Sequence, residues 1–269
     1  MTKVLLFRVG IDTTNEDYNK FEGIKLPLSP LFEDSSFVFL PIKGDGDTIK
    51  NIEEKFKIDF SKYLGKEYIK SENIKCPCHY DPCFNFDDEY SYGDRTRKSN
   101  GTTVSKAHKL LELCKGDYLV FCSAMVRMKK EDYEKKPFCS EIIKIQQNWC
   151  KTNRVLLCII GYFRVKEIID GNNSDFDREY VCNHFKNNAH IMGGQLDNKS
   201  KKKFVFVNGC PKESQFFKKA KIIATSGHHC YKVKKEYIKY FGNTICNHCY
   251  KWVIKNKVDE FIKELNENN

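Results

Sequence analysis

Short apolar runs recur along the chain at Val4–Phe7, Phe37–Leu40, Tyr118–Cys122, Val155–Ile160, Phe204–Val207 and Ile222–Ala224. They are mostly continuous rather than alternating, and rich in β-branched and aromatic residues, the pattern of strands covered on both faces. Between several of them the spacing turns helical. Asp47 or Thr48 is placed to cap a helix running to about Phe56, and Thr103 to cap one over Val104 to Cys114 that Gly116 stops. Ser140 is placed to cap a third, through Ile142, Ile145 and Trp149, and a short helix is predicted from Glu213 to Ala220. A last helix, about Tyr250 to Leu265, carries Ile254, Val258, Phe261 and Leu265 at spacings of four, three and four. Strands alternating with helices predict an α/β domain with a mixed or mainly parallel central sheet flanked by helices.

Two stretches break this rhythm. Residues 71–101 are polar and Cys-rich with little apolar periodicity, and read as a long loop of the kind that carries function. Asp170–Asp177 reads as a second loop. Neither a repeat nor a clean linker is visible, so the reading is a single domain over 1–269 whose basic, Cys/His-containing C-terminal part spans about 199–269.

Composition narrows the class. In 269 residues, 41% are hydrophobic and 13% aromatic, enough for a core, which excludes a disordered, collagenous or coiled-coil chain. The longest apolar stretch, Val155 to Phe163, is nine residues, against about 20 for a membrane-spanning helix. Arg8 cuts the run Val4–Phe7 too short for a signal peptide. The expected location is cytoplasmic, where the 13 cysteines are buried thiols, metal ligands or reactive groups rather than a disulfide framework.

The net charge of +10 is concentrated. Lys199 to Lys239 holds 12 Lys against Glu213 and Glu236, a net of +10, so the remainder is close to neutral. A one-sided basic segment suits a nucleic acid or nucleotide partner; it also suits a merely solvated lysine-rich face. Lysine without arginine favours phosphate contacts over base reading.

Candidate chemistry lies in five places. Cys76-Pro77-Cys78-His79-Tyr80-Asp81-Pro82-Cys83 crowds thiols and an imidazole together as a zinc site would, though without paired C-x-x-C knuckles. A different reading is a polar His79/Asp81 pair: residues two apart share a face in extended chain, and Pro82 favours that conformation at Asp81. Cys246-Asn247-His248-Cys249, with His228, His229 and Cys230 upstream, has knuckle spacing, and Cys230, Cys246, Cys249 and His229 are the candidate zinc ligands. Ordinary buried thiols give the same pattern. Arg8 and Asp12 follow the first strand, where α/β sheets form ligand crevices, but no phosphate-binding glycine fingerprint accompanies them. Asn188-Ala189-His190 precedes Gly193-Gly194, a setting for a substrate-contacting Asn188 and a catalytic His190 or for a simple loop histidine. Ser214, with Lys212 beside it, sits at the start of the helix predicted from Glu213, a position that suits a phosphate. No G-x-S-x-G elbow supports a serine triad.

The order of these segments resembles a known family. Val4–Asp12 leads to Ser29-Pro30-Leu31-Phe32-Glu33-Asp34 and Leu40-Pro41-Ile42. Next come His79-Tyr80-Asp81-Pro82, Lys115–Phe121, Gly161-Tyr162-Phe163 and Asn188-Ala189-His190. This order is similar to the nucleotide-modification-associated domain family, type 3, over the chain up to about Ala224. The stretch Thr13–Lys25, with one glycine, and the cysteines near His79 and at Cys246/Cys249 depart from the family pattern. The resemblance implies an α/β domain associated by gene context with modification of DNA bases or nucleotides, without a stated reaction. It carries Arg8, Asp12, Asp34, His79, Asp81 and His190 as polar family-like positions.

The leading expectation is an enzyme that modifies a nucleotide or DNA base in a His/Asp/Arg crevice. His79 and His190 are its acid/base groups, with Asp81 and Asp12 orienting a histidine, positioning substrate or holding a metal. Arg8, Asp34, Asn188, Lys212 and Ser214 are its substrate or phosphate contacts. The alternatives are a non-catalytic nucleic-acid-binding protein with structural zinc, and a small-molecule or partner-binding domain.

Overall fold

A computed structural model describes residues 1–10, 20–21, 24–25, 28–40, 42–56, 77–96, 98–99, 102–103, 106–135, 155–194, 196, 203–227, 230–246 and 250–267. The main strands are β1 Val4–Val9, β2 Ser29–Leu31, β3 Ile42–Thr48, β4 Pro77–His79, β5 Cys83–Phe86, β6 Glu89–Thr96, β7 Tyr118–Arg127, β8 Val155–Asp170, β9 Lys203–Gly209, β10 Gln215–Ser226, β11 Cys230–Val233, β12 Thr244–Cys246 and β13 Lys251–Trp252. The helices used below are α1 Ile49–Phe56, α2 Arg178–His184, α3 Ala189–Met192, α4 Ile238–Phe241 and α5 Val258–Asn266.

The sheet corrects the expected fold class. Its long path runs β12-β11-β10-β8-β7-β1-β13, and nearly all of its pairs are antiparallel. Only β1 with β7 and β2 with β7 run parallel in this sheet. Five of the six apolar runs mark strands covered on both faces, while Phe37–Leu40 forms only an isolated bridge at Phe37 and is no strand; the cover also differs from that of a parallel α/β sheet. Leu5 and Phe7 of β1, with Phe121 and Phe163, pack on Tyr90 and Tyr92 of β6 and Val205 and Val207 of β9. Val4 and Leu6, one step out of phase, join Tyr240 and Phe241 of α4 and Val258, Phe261 and Leu265 of α5. One face is thus roofed by strands and the other by short C-terminal helices.

Strand β8 makes this possible. Its first part pairs with β7 and β10, while Val165 to Asp170 pairs with β9, which pairs in turn with β6 and through it with β5. Sixteen residues long, β8 carries the chain from one layer to the other. The rings of Phe84, Tyr90, Phe121 and Phe163 fill the space between, mostly edge to face at centroid separations of 4.7 to 6.4 Å.

Local expectations fare unevenly. Helix α1 starts after Thr48 and ends at Phe56, the span expected for it. The helix expected over Val104 to Cys114 is a 3₁₀ segment, Lys106–Glu112, that ends before Gly116, which takes φ +89° in the following turn into β7. The helix expected from Glu213 to Ala220 is absent: Gln215–Ser226 is strand β10. Its buried Phe217, Ala220 and Ala224 mimic helical spacing because β10 bulges, spending Phe216 to Lys221 opposite Gly161 to Ile159. The C-terminal apolar stripe holds only from Val258 onward, preceded by β13 and a 3₁₀ turn at Lys255–Lys257. Residues 77–96, read as loop, carry β4, β5 and β6. The segment after Ser140 lies outside the described residues.

Candidate functional site

His79 ends β4, and the chain continues through Tyr80 and Asp81. Tyr80 turns into the core against Phe39, so its two neighbours turn the other way, together. His79 Nε2 lies 3.7 Å from Asp81 Oδ2. His190, more than a hundred residues further along, reaches the same oxygen with Nε2 at 3.8 Å, and the two imidazole rings lie 4.4 Å apart. The side chains retain 17% (His79), 1% (Asp81) and 11% (His190) of their exposure, so His79 is the member nearest solvent.

His190 is brought there by α3, which packs against β3 and is capped by Asn188. The Asn188 side-chain oxygen accepts from the His190 amide at 3.0 Å. Its Nδ2 extends to Asp81 Oδ1 and to Ser91 Oγ, each at 3.4 Å, so the cap also braces the carboxylate. Gly93 completes the frame: its N–H donates to Asp81 Oδ2 at 3.2 Å, and its carbonyl lies 3.0 Å from His190 Nε2. A Cβ at this position would stand 2.8 Å from His190 Cδ2 and 2.9 Å from Phe206 Cε1, so only glycine fits between ring and strand. Behind it, buried Glu89 accepts from Ser91 Oγ and from the Asn187 amide.

The electrostatics follow from burial. Desolvation pushes the Asp81 carboxyl up to about 7, against the opposing pull of His190 and of the Gly93 N–H. Burial likewise raises the Glu89 carboxyl, opposed by the hydrogen bonds of Ser91 and Asn187. Lys106, 3.7 Å from Asp94 and bonded to the Arg8 carbonyl at 3.0 Å, adds a positive charge that favours ionised Asp81. Among the described residues, one group of at least three His, Cys, Asp or Glu has donor atoms placed to share a metal ion, within 4.8 Å of one another: His79, Asp81 and His190.

The other expected residues lie elsewhere. Arg8 is buried, but it shares the strand face of Leu6 rather than of Phe7, and its guanidinium sits 5.2 Å from the Tyr231 ring. Asp34 is exposed and accepts from Ser36 N and Oγ at 2.9 and 2.6 Å, bonds that hold its carboxyl below the usual range. Ser214 is buried and accepts from the Arg164 amide at 3.1 Å, while Lys212 is exposed in the turn before β10, with no helix there to present a phosphate site. Cys230 and Cys246 are opposite one another across β11 and β12, as free thiols. Asp12, Cys249 and His229 lie outside the described residues.

The family model for nucleotide modification associated domain 3 matches residues 3–250, a range that contains every element of this cluster. The chain belongs to that family. No curated protein and no solved structure matches it. Membership in the nucleotide modification associated domain 3 family associates the chain with nucleotide modification, and none of the described helices is long and apolar enough to cross a membrane.

Sequence reading missed the residues that frame this cluster: Glu89, Ser91, Gly93, Asn187 and Lys106. A signal existed. Tyr90 and Tyr92 alternate with Ser91 and Gly93 at period two, so the aromatic side of a strand announces a small polar side facing the other way.

Proposed function

We propose that this chain is an enzyme that modifies a nucleotide or a nucleic-acid base at the His79–Asp81–His190 cluster. The carrying observation is the convergence of two imidazoles and one buried carboxylate, from segments far apart in sequence, inside the region that matches the family. Three titratable side chains gathered in low-dielectric surroundings cost folding energy, and such clusters concentrate where chemistry is done. His79, the most exposed of the three, is the group that meets substrate; Asp81 and Gly93 fix the geometry behind it. Lys106, partly exposed at the Asp94 side, is the cation best placed to hold a phosphate or an anionic base edge.

The test is nucleoside mass spectrometry on DNA, RNA and the free nucleotide pool from cells producing the protein. The expected result is a modified nucleoside present with the native chain and reduced at least about 100-fold, the usual contribution of a positioned proton-transfer group, in His79→Ala and Asp81→Asn chains of unchanged melting temperature. A product unaffected by both substitutions would remove the cluster from the chemistry.

A second reading, a non-catalytic nucleic-acid binder with zinc at the C-terminal thiols, draws support from Cys230 lying opposite Cys246. It also draws on the exposed Lys218, Lys219, Lys232 and Lys235. Fewer lysines of this segment are available than the composition suggests, because the Lys221 ammonium is engaged by carbonyls at the end of α5 and Lys239 pairs with Glu260. This reading predicts binding that weakens steeply with salt and about one zinc per chain lost in a Cys230→Ser/Cys246→Ser protein.

A further inference from the structure

We propose that His79, Asp81 and His190 bind one divalent first-row transition-metal ion. This rests on the reading that these side chains are the working groups of the protein. It is tested without substrate, so that failure of one is distinguishable from failure of the other.

The donor set comes first. Two imidazole nitrogens and one carboxylate oxygen suit zinc, iron, manganese or cobalt; magnesium and calcium prefer oxygen donors. The distances agree. Ligands about 2.0–2.2 Å from an ion lie about 3.0–3.5 Å from one another, depending on geometry. Here Asp81 Oδ2 is 3.7 and 3.8 Å from the two Nε2 atoms, one donor atom from each side chain falls within 4.8 Å of the others, and His190 Nε2 must give up its proton and the Gly93 carbonyl, 3.0 Å away, to ligate. A direct His⁺–carboxylate hydrogen bond would bring these atoms to about 2.7–2.9 Å. The arrangement is too open for that, and closing on an ion needs a contraction of well under an ångström at Asp81 and a larger one where the donors stand as far as 4.8 Å apart.

The surroundings agree as well. Ligating carboxylates are held by hydrogen bonds from behind. Asp81 has the Gly93 N–H on one oxygen and the Asn188 amide on the other. Asn188 also caps the helix that carries His190, so one side chain ties the two ligand-bearing segments together. Three protein ligands leave further positions on the ion for water or for a substrate atom, the pattern of a reactive centre rather than of a structural one.

The probe is Co²⁺, titrated into the chelator-treated 269-residue chain and read by its visible ligand-field absorption. The expected result is saturation at about one ion per chain without strong thiolate charge-transfer bands, and unchanged in a Cys230→Ser/Cys246→Ser chain. His79→Ala should weaken binding by at least tenfold, and Asn188→Ala, which removes a brace and no ligand, by about 10–100-fold. Since substitutions at buried positions risk unfolding, pulsed electron paramagnetic resonance of Cu²⁺ in the unaltered protein gives a second reading, with signals from two imidazoles expected. No Co²⁺ binding, binding undiminished in folded His79→Ala and His190→Ala chains, or a Cu²⁺ spectrum lacking imidazole would overturn the proposal. Metal binding without any modified nucleoside would leave the ion standing and sink the enzyme reading.

Discussion

His79, Asp81 and His190 meet under cover of β6 and α3, while Cys230 and Cys246 face one another on β11 and β12 at the end of the sheet. Both regions drew attention as clusters of metal-type donors, and the fold treats them differently. The first gathers its members from segments about a hundred residues apart and braces the carboxylate with Gly93 and Asn188. The second needs only two neighbouring strands, and leaves Cys246 exposed and Cys230 half-buried. Proximity along the chain brought the thiols together at little cost. The His/Asp cluster exists only because the tertiary structure holds it against the desolvation that pushes Asp81 up. A donor cluster kept at such a cost is the stronger functional candidate.

The largest expected effect that would break this contrast comes from Gly93→Ala. The added methyl collides with the His190 ring and with Phe206, so one of them must move. Overpacking of this kind costs about 1–3 kcal/mol, a fall of several degrees in Tm at this chain length. Calorimetry should show that loss together with weaker Co²⁺ binding. A Gly93→Ala protein with native Tm and native metal affinity would mean that the frame is slack and the cluster no better built than the thiol pair.

Next in size is Asn188→Ala. It removes the α3 cap and the Asp81 contact at once, and caps of this type are worth about 0.5–2 kcal/mol. The Tm should fall by a few degrees, and Asn188→Asp, which keeps the capping oxygen but faces Asp81 with a second carboxylate, should recover less than the cap alone would predict. Full recovery in Asn188→Asp would show that the contact to Asp81 contributes nothing.

On the other side of the comparison, Cys230→Ser and Cys246→Ser should each change stability by no more than about 0.5 kcal/mol, as surface substitutions do. Among the described thiols, the exposed Cys246 and Cys114 should react with a thiol reagent before the half-buried Cys230. Cys122, pushed up to about 12 by burial, and Cys83 and Cys158, raised further for the same reason, should react only on unfolding. Slow labelling of Cys246 in the metal-free native protein would show that the edge is more protected than its exposure implies.

What could be read in advance follows the range of the interaction. The His79/Asp81 pair was legible because it depends on alternation along two residues of extended chain. His190 was visible as a residue type beside glycines, but its partner was not, since nothing local records which strand a helix end will approach. Glu89, Ser91 and Gly93 were hidden by the polar character of 71–101, although the Tyr90/Tyr92 alternation marks a strand there. The fold class failed for a related reason. Continuous apolar strands say that both faces are covered, and leave open whether helices or a second layer of strands do it. Arg8 shows the limit at its plainest: its neighbour Phe7 faces the core layer that holds Tyr90 and Tyr92, and one residue of parity sends the guanidinium to Tyr231 instead.

The smallest effect concerns Glu260, the electrostatic opposite of Asp81. It is exposed on α5 and takes Lys239 at 2.6 Å and Lys257 at 2.9 Å, and these hydrogen bonds hold its carboxyl down to about 2. A depressed carboxyl stabilises the fold above its unfolded value of about 4.5, and that contribution is lost as the pH falls through 2. Glu260→Gln should therefore lower Tm slightly at neutral pH, with a gap that narrows between about pH 4.5 and pH 2 and shrinks in high salt, since the pair is open to solvent. Asp81→Asn should not share that profile, because desolvation moves its carboxyl upward and salt does not reach it. A Glu260→Gln gap constant with pH and salt would mean that the pair does not hold in solution, leaving burial rather than pairing as what sets the carboxylates of this protein apart.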